Sequence, residues 1–390
     1  MKVPLLIPHL TIEDEQSVIE TIRSGWITQG PQVASFEQEF TVFTGAAHAC
    51  AVSSATTALH LALLAVGVSP GDEVITVSHS FIATSNAVRY CGATPVFIDI
   101  DPVTFNMDPS LIQGAISHKT KAILCVHQIG LPCDMESILS VAKQNNLPVI
   151  EDAACAIGSK VKVNGILELV GKPHGDIACF SFHPRKLLTT GDGGMLTTNN
   201  AEYDRQFKLL RQHGMSVTDA VRHNSHEVIF ENYPIMGYNY RLTDLQAALG
   251  RSQLKKIPQL VEKRRELVRI YEAGLSRLSG ITLPVEPDYT VTNWQSYCIK
   301  LDKKINQKEF MQKMLDAGIS TRRGVMNAHL EQSYGPGTWK CGICQCTDSS
   351  CNCLQHSYAA QSECVVIPLF PGMTEEQINY IIDTIRSILQ

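Results

Sequence analysis

Between residues 50 and 200 the chain alternates short, β-branched apolar runs with stretches of helical periodicity, and this alternation restricts it to an α/β layer architecture. Thr57 to Val66 puts Ala58, Leu59, Ala62, Leu63 and Val66 on one helical face, and the turn Ser69-Pro-Gly-Asp72 leads into a strand from Glu73 to Val77. A helix from Phe81 to Tyr90, the Cys91-Gly-Ala93 break and a strand from Pro95 to Ile98 follow. Further strands are predicted at Lys121 to Val126, Pro148 to Ile150, Ile177 to Phe182 and Gly194 to Thr198. The helix from Met135 to Asn145 has the length of a right-handed crossover. Runs that are apolar throughout belong to strands buried on both faces, so the expectation is α/β: a large, mostly parallel mixed sheet sandwiched by helices.

Beyond Leu242 the character changes. Helices are expected at Thr243 to Leu254 and Ile257 to Leu278, then a strand from Ser296 to Leu301, a helix from Gln307 to Ala317, a strand from Cys364 to Pro368 and a closing helix from Thr374 to Leu389. The expected organisation is a large domain over 1–256, including an N-terminal segment, and a smaller C-terminal α+β domain over 257–390 that carries a cysteine-rich insertion at 335–355. The 390 residues suit this division at roughly 150 residues per domain. Lys and Arg number 33 against 38 Asp and Glu, a net charge of −5 without a run of five or six like charges. That balance argues against nucleic acid or an anionic membrane as the main partner, since both need a concentrated cationic face. No stretch approaches about 18 consecutive apolar residues, and none near Met1 resembles a signal peptide. The expected location is cytoplasmic, with a small molecule or a second copy of the chain as partner.

Three segments carry candidate chemistry. Ser53-Ser-Ala-Thr-Thr57 opens a helix, so it reads either as an N-cap or as an anion site built from unpaired N–H groups. Val149-Ile-Glu-Asp152 ends a buried strand in two carboxylates, at the strand end where parallel sheets bind ligands, although a carboxylate can equally cap the turn that follows. Cys179-Phe-Ser-Phe-His-Pro-Arg-Lys186 ends another strand and runs into the glycine-rich Thr189-Thr-Gly-Asp-Gly-Gly194. A lysine there is a candidate nucleophile, or an ordinary solvated surface group. A phosphate-binding helix start, an acid at a strand end and a lysine after a later strand occur in the order expected of a pyridoxal phosphate enzyme.

Over nearly its whole length the sequence resembles the DegT/DnrJ/EryC1/StrS family of sugar aminotransferases, which has the aspartate-aminotransferase-like fold. The matching motifs are Ser24-Gly-Trp-Ile-Thr28, Gly30-Pro31, Ser54 to Leu59, Asp72-Glu-Val-Ile75, Phe81-Ile-Ala-Thr84, Gly92-Ala-Thr-Pro-Val-Phe97 and Glu151-Asp-Ala-Ala154. They continue with Phe180-Ser-Phe-His-Pro184 and Lys186, Gly237-Tyr-Asn-Tyr-Arg-Leu-Thr-Asp244, Gln246-Ala-Ala248 and Pro368-Leu-Phe-Pro-Gly-Met-Thr374. The resemblance implies that Lys186 holds pyridoxal phosphate covalently and that Asp152 pairs with the pyridine nitrogen, keeping it protonated. It implies further that Phe81 stacks on the ring, and that Ser54, Ala55, Thr56 and Ser181 hold the phosphate. Asn239 matches a residue that reaches the phosphate from the neighbouring subunit, so a homodimer is part of the expected active site. Cys155 departs from the family pattern: the position near the cofactor often holds histidine or glutamine, and a thiol cannot make the same hydrogen bonds.

The reaction implied is transamination through pyridoxal and pyridoxamine phosphate. L-Glutamate is the amino donor, a 4-keto-6-deoxy nucleotide-diphosphate sugar the acceptor, and a 4-amino sugar for surface polysaccharide or natural-product glycans the product. Arg241, Arg322, Arg323 and His329 are candidates for the substrate's negative charge, with Trp26, Thr28 and His183 nearby in the matched motifs; each reads equally as a surface group. A 3-keto sugar or keto-cyclitol aminotransferase is the alternative. A sugar 3-dehydratase is disfavoured because it has histidine where Lys186 stands. Among the 13 cysteines, Cys50, Cys91, Cys125, Cys155, Cys179 and Cys298 read as small core residues kept reduced. Cys341, Cys344, Cys346, Cys351 and Cys353 fall together in a spacing that fits no standard zinc or iron–sulfur pattern. The cluster leaves structural metal, an incidental reduced loop and a regulatory disulfide all open, and it supports a remote reading as a metal-binding or redox-sensing module on an idle scaffold.

Overall fold

In a computed structural model, which describes residues 1–217, 222, 225–348 and 351–390, the β-branched runs pair into a central sheet. The first strands are β1 (His48–Val52), β2 (Glu73–Val77), β3 (Thr94–Ile98), β4 (Thr120–Val126) and β5 (Val149–Asp152). The next are β6 (Lys160–Val163), β7 (Ile166–Leu169), β8 (Ile177–Ser181) and β9 (Gly194–Thr198). Short strands β10 (Ile281–Thr282) and β11 (Thr290–Val291) precede β12 (Tyr297–Leu301), β13 (Arg322–Arg323), β14 (Lys340–Cys341) and β15 (Cys364–Ile367). The large sheet has the order β1-β9-β8-β5-β4-β2-β3-β14, and among the described residues only β9 runs against the others. An antiparallel sheet β10-β12-β15-β13 forms in the C-terminal third, and β11 crosses back to pair with β6 beside β7.

Helices cover both faces, as the continuous apolar strands require. They are α1 (Ile12–Ser24), α2 (Pro31–Thr44), α3 (Ala55–Ala65), α4 (Ala83–Tyr90), α5 (Ile112–Ala115), α6 (Met135–Gln144) and α7 (Ala201–Leu210). The rest are α8 (Asp244–Leu254), α9 (Ile257–Leu275), α10 (Gln307–Asp316), α11 (Gln355–Glu363) and α12 (Glu375–Leu389). Strand periodicity sorts alternate residues onto opposite cores. Ile75, Val77 and Val149 join Phe36 and Phe40 of α2, whereas Val74, Leu124 and Ile150 join Ala58, Leu59 and Ala62 of α3. A third core gathers α9, α12 and the antiparallel sheet around Tyr271, Tyr297 and Ile381, and Val3 from the start of the chain packs into it.

The structure differs from the sequence reading in places that matter for the site. The helix assigned from Phe81 begins only at Ala83, leaving Phe81 on the approach and 62% exposed. The strand assigned to end at Ile150 continues to Asp152, so both carboxylates belong to it. The 335–355 segment contains strand β14, which extends the large sheet from β3, rather than being loop throughout. Helices α1 and α2 and the β6-β7-β11 sheet were not foreseen.

Because β5 alternates, its two acids point to opposite faces. Glu151 is fully buried: Oε2 accepts from His127 Nε2 at 3.0 Å, and Oε1 accepts from the N–H groups of His174 and Gly175 at 3.0 and 2.8 Å. His127 Nδ1 accepts the Cys133 N–H at 3.0 Å, which assigns the imidazole proton to Nε2 and the charge to Glu151. Burial opposes that charge, but the His127 hydrogen bond and the Gly175 N–H outweigh it and hold the carboxyl below its ordinary pKa. Replacing Glu151 with Ala strands three buried donors and is expected to cost roughly 3–5 kcal/mol, while Glu39→Ala, at a partly exposed ion pair with Arg251, costs ~1 kcal/mol or less. Urea denaturation of the two variants measures the difference.

Candidate active site

Asp152, one residue on, faces the carboxyl-end crevice beside α4. It is 5% exposed; Thr84 Oγ1 donates to its Oδ2 at 2.7 Å and the Ala154 N–H to its Oδ1 at 3.2 Å. Thr84 is itself held by Ser80, with Oγ atoms 2.7 Å apart. Burial raises the Asp152 carboxyl above its ordinary value, more than these hydrogen bonds and the nearby charge of Lys186 lower it. A buried carboxylate in this position is favoured by a cationic partner, a role that a protonated ring nitrogen would suit. Thr84 was not among the sequence candidates, although it closes the Phe81-Ile-Ala-Thr84 motif one helical turn from Phe81.

Lys186 lies on the loop after β8, and its Nζ sits 2.9 Å from Cys155 Sγ. The loop is fixed from the C-terminal third. Gln295 Nε2 donates to the Arg185 carbonyl at 2.5 Å, and Gln295 Oε1 accepts the Leu187 N–H at 3.2 Å, so one amide brackets the lysine on both sides. Asn293 Nδ2 donates to the carbonyls of Cys155 and Ile157, both at 2.8 Å, and its Oδ1 accepts the Gln295 N–H at 2.8 Å. Buried Arg264 of α9 then donates to the carbonyls of Trp294 and Gln295 at 2.9 and 3.1 Å. Sequence reasoning missed this clamp, because amides that bind distant backbone carbonyls leave no local pattern.

At the start of α3, Ser54 is an N-cap: its hydroxyl accepts the Thr57 N–H at 3.2 Å, and Thr57 Oγ1 accepts the Ser54 N–H at 3.1 Å. Capping and anion binding are therefore divided within the segment. The Ser54 hydroxyl serves the helix, while the N–H groups of Ala55 and Thr56 open from its first turn. Gly194 makes the close approach possible, since a Cβ there would lie 2.5 Å from the Ser54 carbonyl carbon. Ser181 stands at the end of β8, where its Oγ accepts the His183 N–H at 3.4 Å. Lys186, Asp152, the α3 start and exposed Phe81 together form a set suited to a phosphorylated aromatic aldehyde: an amine, a buried acid, N–H donors and an apolar platform.

The remaining candidates separate. Arg322 lies within electrostatic reach of Arg185 and Cys155, and burial lowers its guanidinium pKa, followed by the neighbouring Arg185 charge. Arg323, the next residue on β13, turns the other way and approaches Glu331 at 3.5 Å. His329 is 5% exposed, lies 2.6 Å from Ser78 Oγ through Nδ1, and ties the 328–330 turn to the end of β2. His183 is exposed, with Nδ1 accepting the Arg185 N–H at 3.2 Å. Trp26 Nε1 donates to the Gln29 carbonyl at 3.2 Å, and the Thr28 carbonyl accepts the Asp244 N–H. Arg241 bridges to Val52 through its backbone, and exposed Asn239 bridges to Gln212.

The profile of the DegT/DnrJ/EryC1/StrS aminotransferase family matches residues 8–386. The chain is 35% identical to the spore coat polysaccharide biosynthesis protein SpsC of Bacillus subtilis (strain 168), covering 99% of this chain and 97% of that protein. It is 36% identical to GDP-perosamine synthase of Caulobacter vibrioides, covering 100% and 98%. Among solved structures, a Streptococcus pneumoniae protein assigned as a sugar aminotransferase superimposes in its PMP form with a TM-score of 0.89, at 27% identity and 99% coverage of both chains. The same protein's PLP form gives 0.88.

Asp152→Asn tests the buried acid. A folded pKa raised above the unfolded value means that the native cofactor-free state binds the proton more tightly. Its stabilising contribution is then full below the ordinary carboxylate pKa and is lost as pH rises through the raised value. The cofactor-free variant should therefore be at least as stable as wild type at neutral pH, with a flatter stability profile across the acid range. Its turnover should fall by on the order of a hundredfold or more, about 3 kcal/mol in the barrier. Thermal denaturation against pH and steady-state kinetics give the two readouts.

Proposed function

This chain belongs to the DegT/DnrJ/EryC1/StrS aminotransferase family and is a pyridoxal phosphate-dependent enzyme, and we propose that it moves the amino group of L-glutamate onto the 4-keto carbon of a 6-deoxy nucleotide sugar. The observation that carries the reading is the meeting of Lys186 and buried Asp152 at the carboxyl ends of adjacent strands β8 and β5. The relative named for a GDP-linked product supports a nucleotide-sugar acceptor.

When bound, pyridoxal phosphate supplies a carbonyl that accepts the amine and a ring that delocalises the electron pair left when a proton departs. The protein's own groups do the rest. Asp152, held by Thr84 and Ala154, keeps positive charge at the ring nitrogen. The Lys186 amine would take the donor's α-proton as general base and return it, as general acid, to the carbon on the far side of the intervening nitrogen. In the second half it runs the same transfer in reverse toward the sugar carbon. Cys155 lies beside the resting lysine amine and lines its path, while Gln295 holds the flanking backbone against drift. Ala55 and Thr56 N–H groups with Ser181 anchor the phosphate, and Phe81 covers a ring face. Arg322, which interacts electrostatically with Cys155 from the antiparallel sheet, is assigned to an anionic group of the donor or the nucleotide. Ordinary family chemistry at the 3-keto position of a sugar or on a keto-cyclitol remains the alternative substrate choice.

The site is proposed to be completed by a second copy. Val228, Phe230, Tyr233 and Met236, upstream of Asn239, are exposed, as are Phe81 and Tyr90. Apolar side chains grouped on one segment are ordinarily covered by a partner, and a twofold arrangement places the same segment at both sites. No described helix is long and apolar enough to cross a membrane, and a cytoplasmic location is part of the proposal.

Two experiments test these assignments. Wild-type protein with glutamate should aminate 4-keto nucleotide sugars in preference to 3-keto ones, and Lys186→Ala should lose both the visible lysine-linked absorption and turnover. A variant that keeps both would overturn the lysine's role. Mixing inactive Lys186→Ala chains with Asn239→Ala chains should restore about a quarter of wild-type activity, because half the dimers are mixed and each has one intact site. No rescue on mixing would place Asn239 in its own subunit's site.

A further inference from the structure

One side-chain cluster takes no part in transamination. The Sγ atoms of Cys341, Cys344, Cys351 and Cys353 all lie within 4.8 Å of one another, and those of Cys344 and Cys351 are 3.8 Å apart. Tetrahedral zinc holds thiolates at about 2.3 Å, which sets sulfur–sulfur edges of about 3.8 Å. We propose that these four thiolates form a structural zinc site that fastens the 335–355 segment to the edge of the large sheet and fixes the start of α11.

The backbone assembles the set from two sides. Cys341 ends β14, where it is fully buried and its Cα is paired with Phe97 of β3. From there the chain folds tightly back: Gln345 N–H donates to the Cys341 carbonyl at 3.0 Å, Cys341 N–H to the Cys346 carbonyl at 2.8 Å, and Gln345 takes φ 62°. This knuckle returns Cys344 over Cys341. Cys351 and Cys353 lie immediately before α11 in the chain. A residue with positive φ inside so short a turn is strained, and it is kept when surrounding bonds hold it there.

The competing accounts fit less well. A reduced core cysteine is buried among apolar neighbours, yet Cys344 is exposed and Cys351 and Cys353 are half-buried. A disulfide draws one pair of sulfurs to about 2.05 Å and leaves the others without purpose, whereas here four sulfurs approach one another together. Four protein sulfurs fill a tetrahedron and leave no open position for substrate or water, which makes the site structural. Binding releases a proton from each of the four thiols and leaves a complex of charge −2, with no change in oxidation state. Cys346 stands 2.9 Å from Cys344 but outside the mutually close set, its carbonyl already serving the knuckle.

The segment needs such a fastening. Beneath the thiols lies a small cluster of Phe97, Ala328, Tyr334, Trp339 and Leu354, separate from the main cores. A core of this size does not order a loop by itself, and a metal contributes its binding free energy to folding. The order then passes on. Asp99 accepts the N–H groups of His356 and Ser357 at the first turn of α11, both at 2.8 Å, and the Ser357 hydroxyl at 2.6 Å. From α11, the Ser357 carbonyl and Gln361 side chain hold Asn327, whose Oδ1 lies 3.1 Å from His79 Nδ1, two residues before Phe81.

The test uses the full-length holoenzyme, purified without chelator. Elemental analysis should find about one zinc per chain, and Co2+ alone, added to the metal-stripped protein, should develop thiolate-to-cobalt charge-transfer absorption. Cys353→Ser should abolish zinc retention, whereas Cys346→Ser should keep it. Because a ligand variant can misfold, chelation of the folded wild type provides a second measurement, with Tm falling by on the order of 5 °C or more. Protein that lacks zinc while all five thiols react freely, that carries iron instead, or whose intact mass shows a disulfide here overturns the proposal. The lysine-linked visible band is read on the same samples, so a failed metal site and a failed aminotransferase assignment are told apart.

Discussion

Two adjacent carboxylates at the end of one strand set the terms for the rest of the molecule. Strand alternation sends Glu151 into the interior and Asp152 into the crevice, and neither could be moved without moving the other. Glu151 gathers the residue after β4, through His127, and the turn before β8, through the N–H groups of His174 and Gly175. The three central strand ends are thereby held in fixed relation. The crevice acid therefore stands on a strand whose position is decided by a second, fully satisfied charge behind it, and that is what gives a reactive group a defined place on an otherwise soft strand end.

The lysine depends on a different part of the chain. Gln295 brackets it, Asn293 holds the Cys155 turn, and Arg264 secures both from α9. Gly130 accepts the Ser159 hydroxyl through its carbonyl, and a Cβ on it would lie 2.1 Å from Asn293 Oδ1, so the contact requires glycine. Asp152 is thus positioned by the large sheet, and Lys186 by residues that follow it by about 80 to 110 positions. A reaction that needs both in one crevice ties the C-terminal third to the sheet chemically as well as by packing.

The sequence was most legible where one physical effect dominates. Strands β2 and β9 coincide with their predicted bounds, because a short run with β-branched residues between turn signals has few other fates. Thr243 and Thr374 cap helices α8 and α12 from one residue outside, each with a glutamine completing a capping box. Legibility fell where tertiary bonds decide. Phe81 fits the helical period, but Ser80 and Thr84 bond to each other above Asp152 and the helix begins beyond Phe81. His329 looked like a surface cation, and only the fold brings Ser78 against it. The clamp of Asn293 and Gln295 binds carbonyls far away in sequence, which no periodicity records. The cysteine spacing was visible at once, yet its irregularity gave no geometry until β14 and the α11 approach brought four of the sulfurs together.

The raised pKa of Asp152 shows what positioning costs this protein. A buried carboxylate with two hydrogen bonds remains short of the stabilisation water would give it, so burial holds the Asp152 carboxyl above its ordinary pKa. On the proposed assignment, a pyridinium nitrogen opposite Asp152 would favour the charged carboxylate, and the same burial would strengthen the attraction by excluding water. The unfavourable burial of the acid would then appear as a preference for the cofactor's protonated form over its neutral form. Ligand binding to the native state alone also raises stability in proportion to the logarithm of free ligand over Kd. On the proposed assignment, cofactor and fold would support one another through a single residue, and the folded protein would select the protonation state that makes the ring an effective electron acceptor.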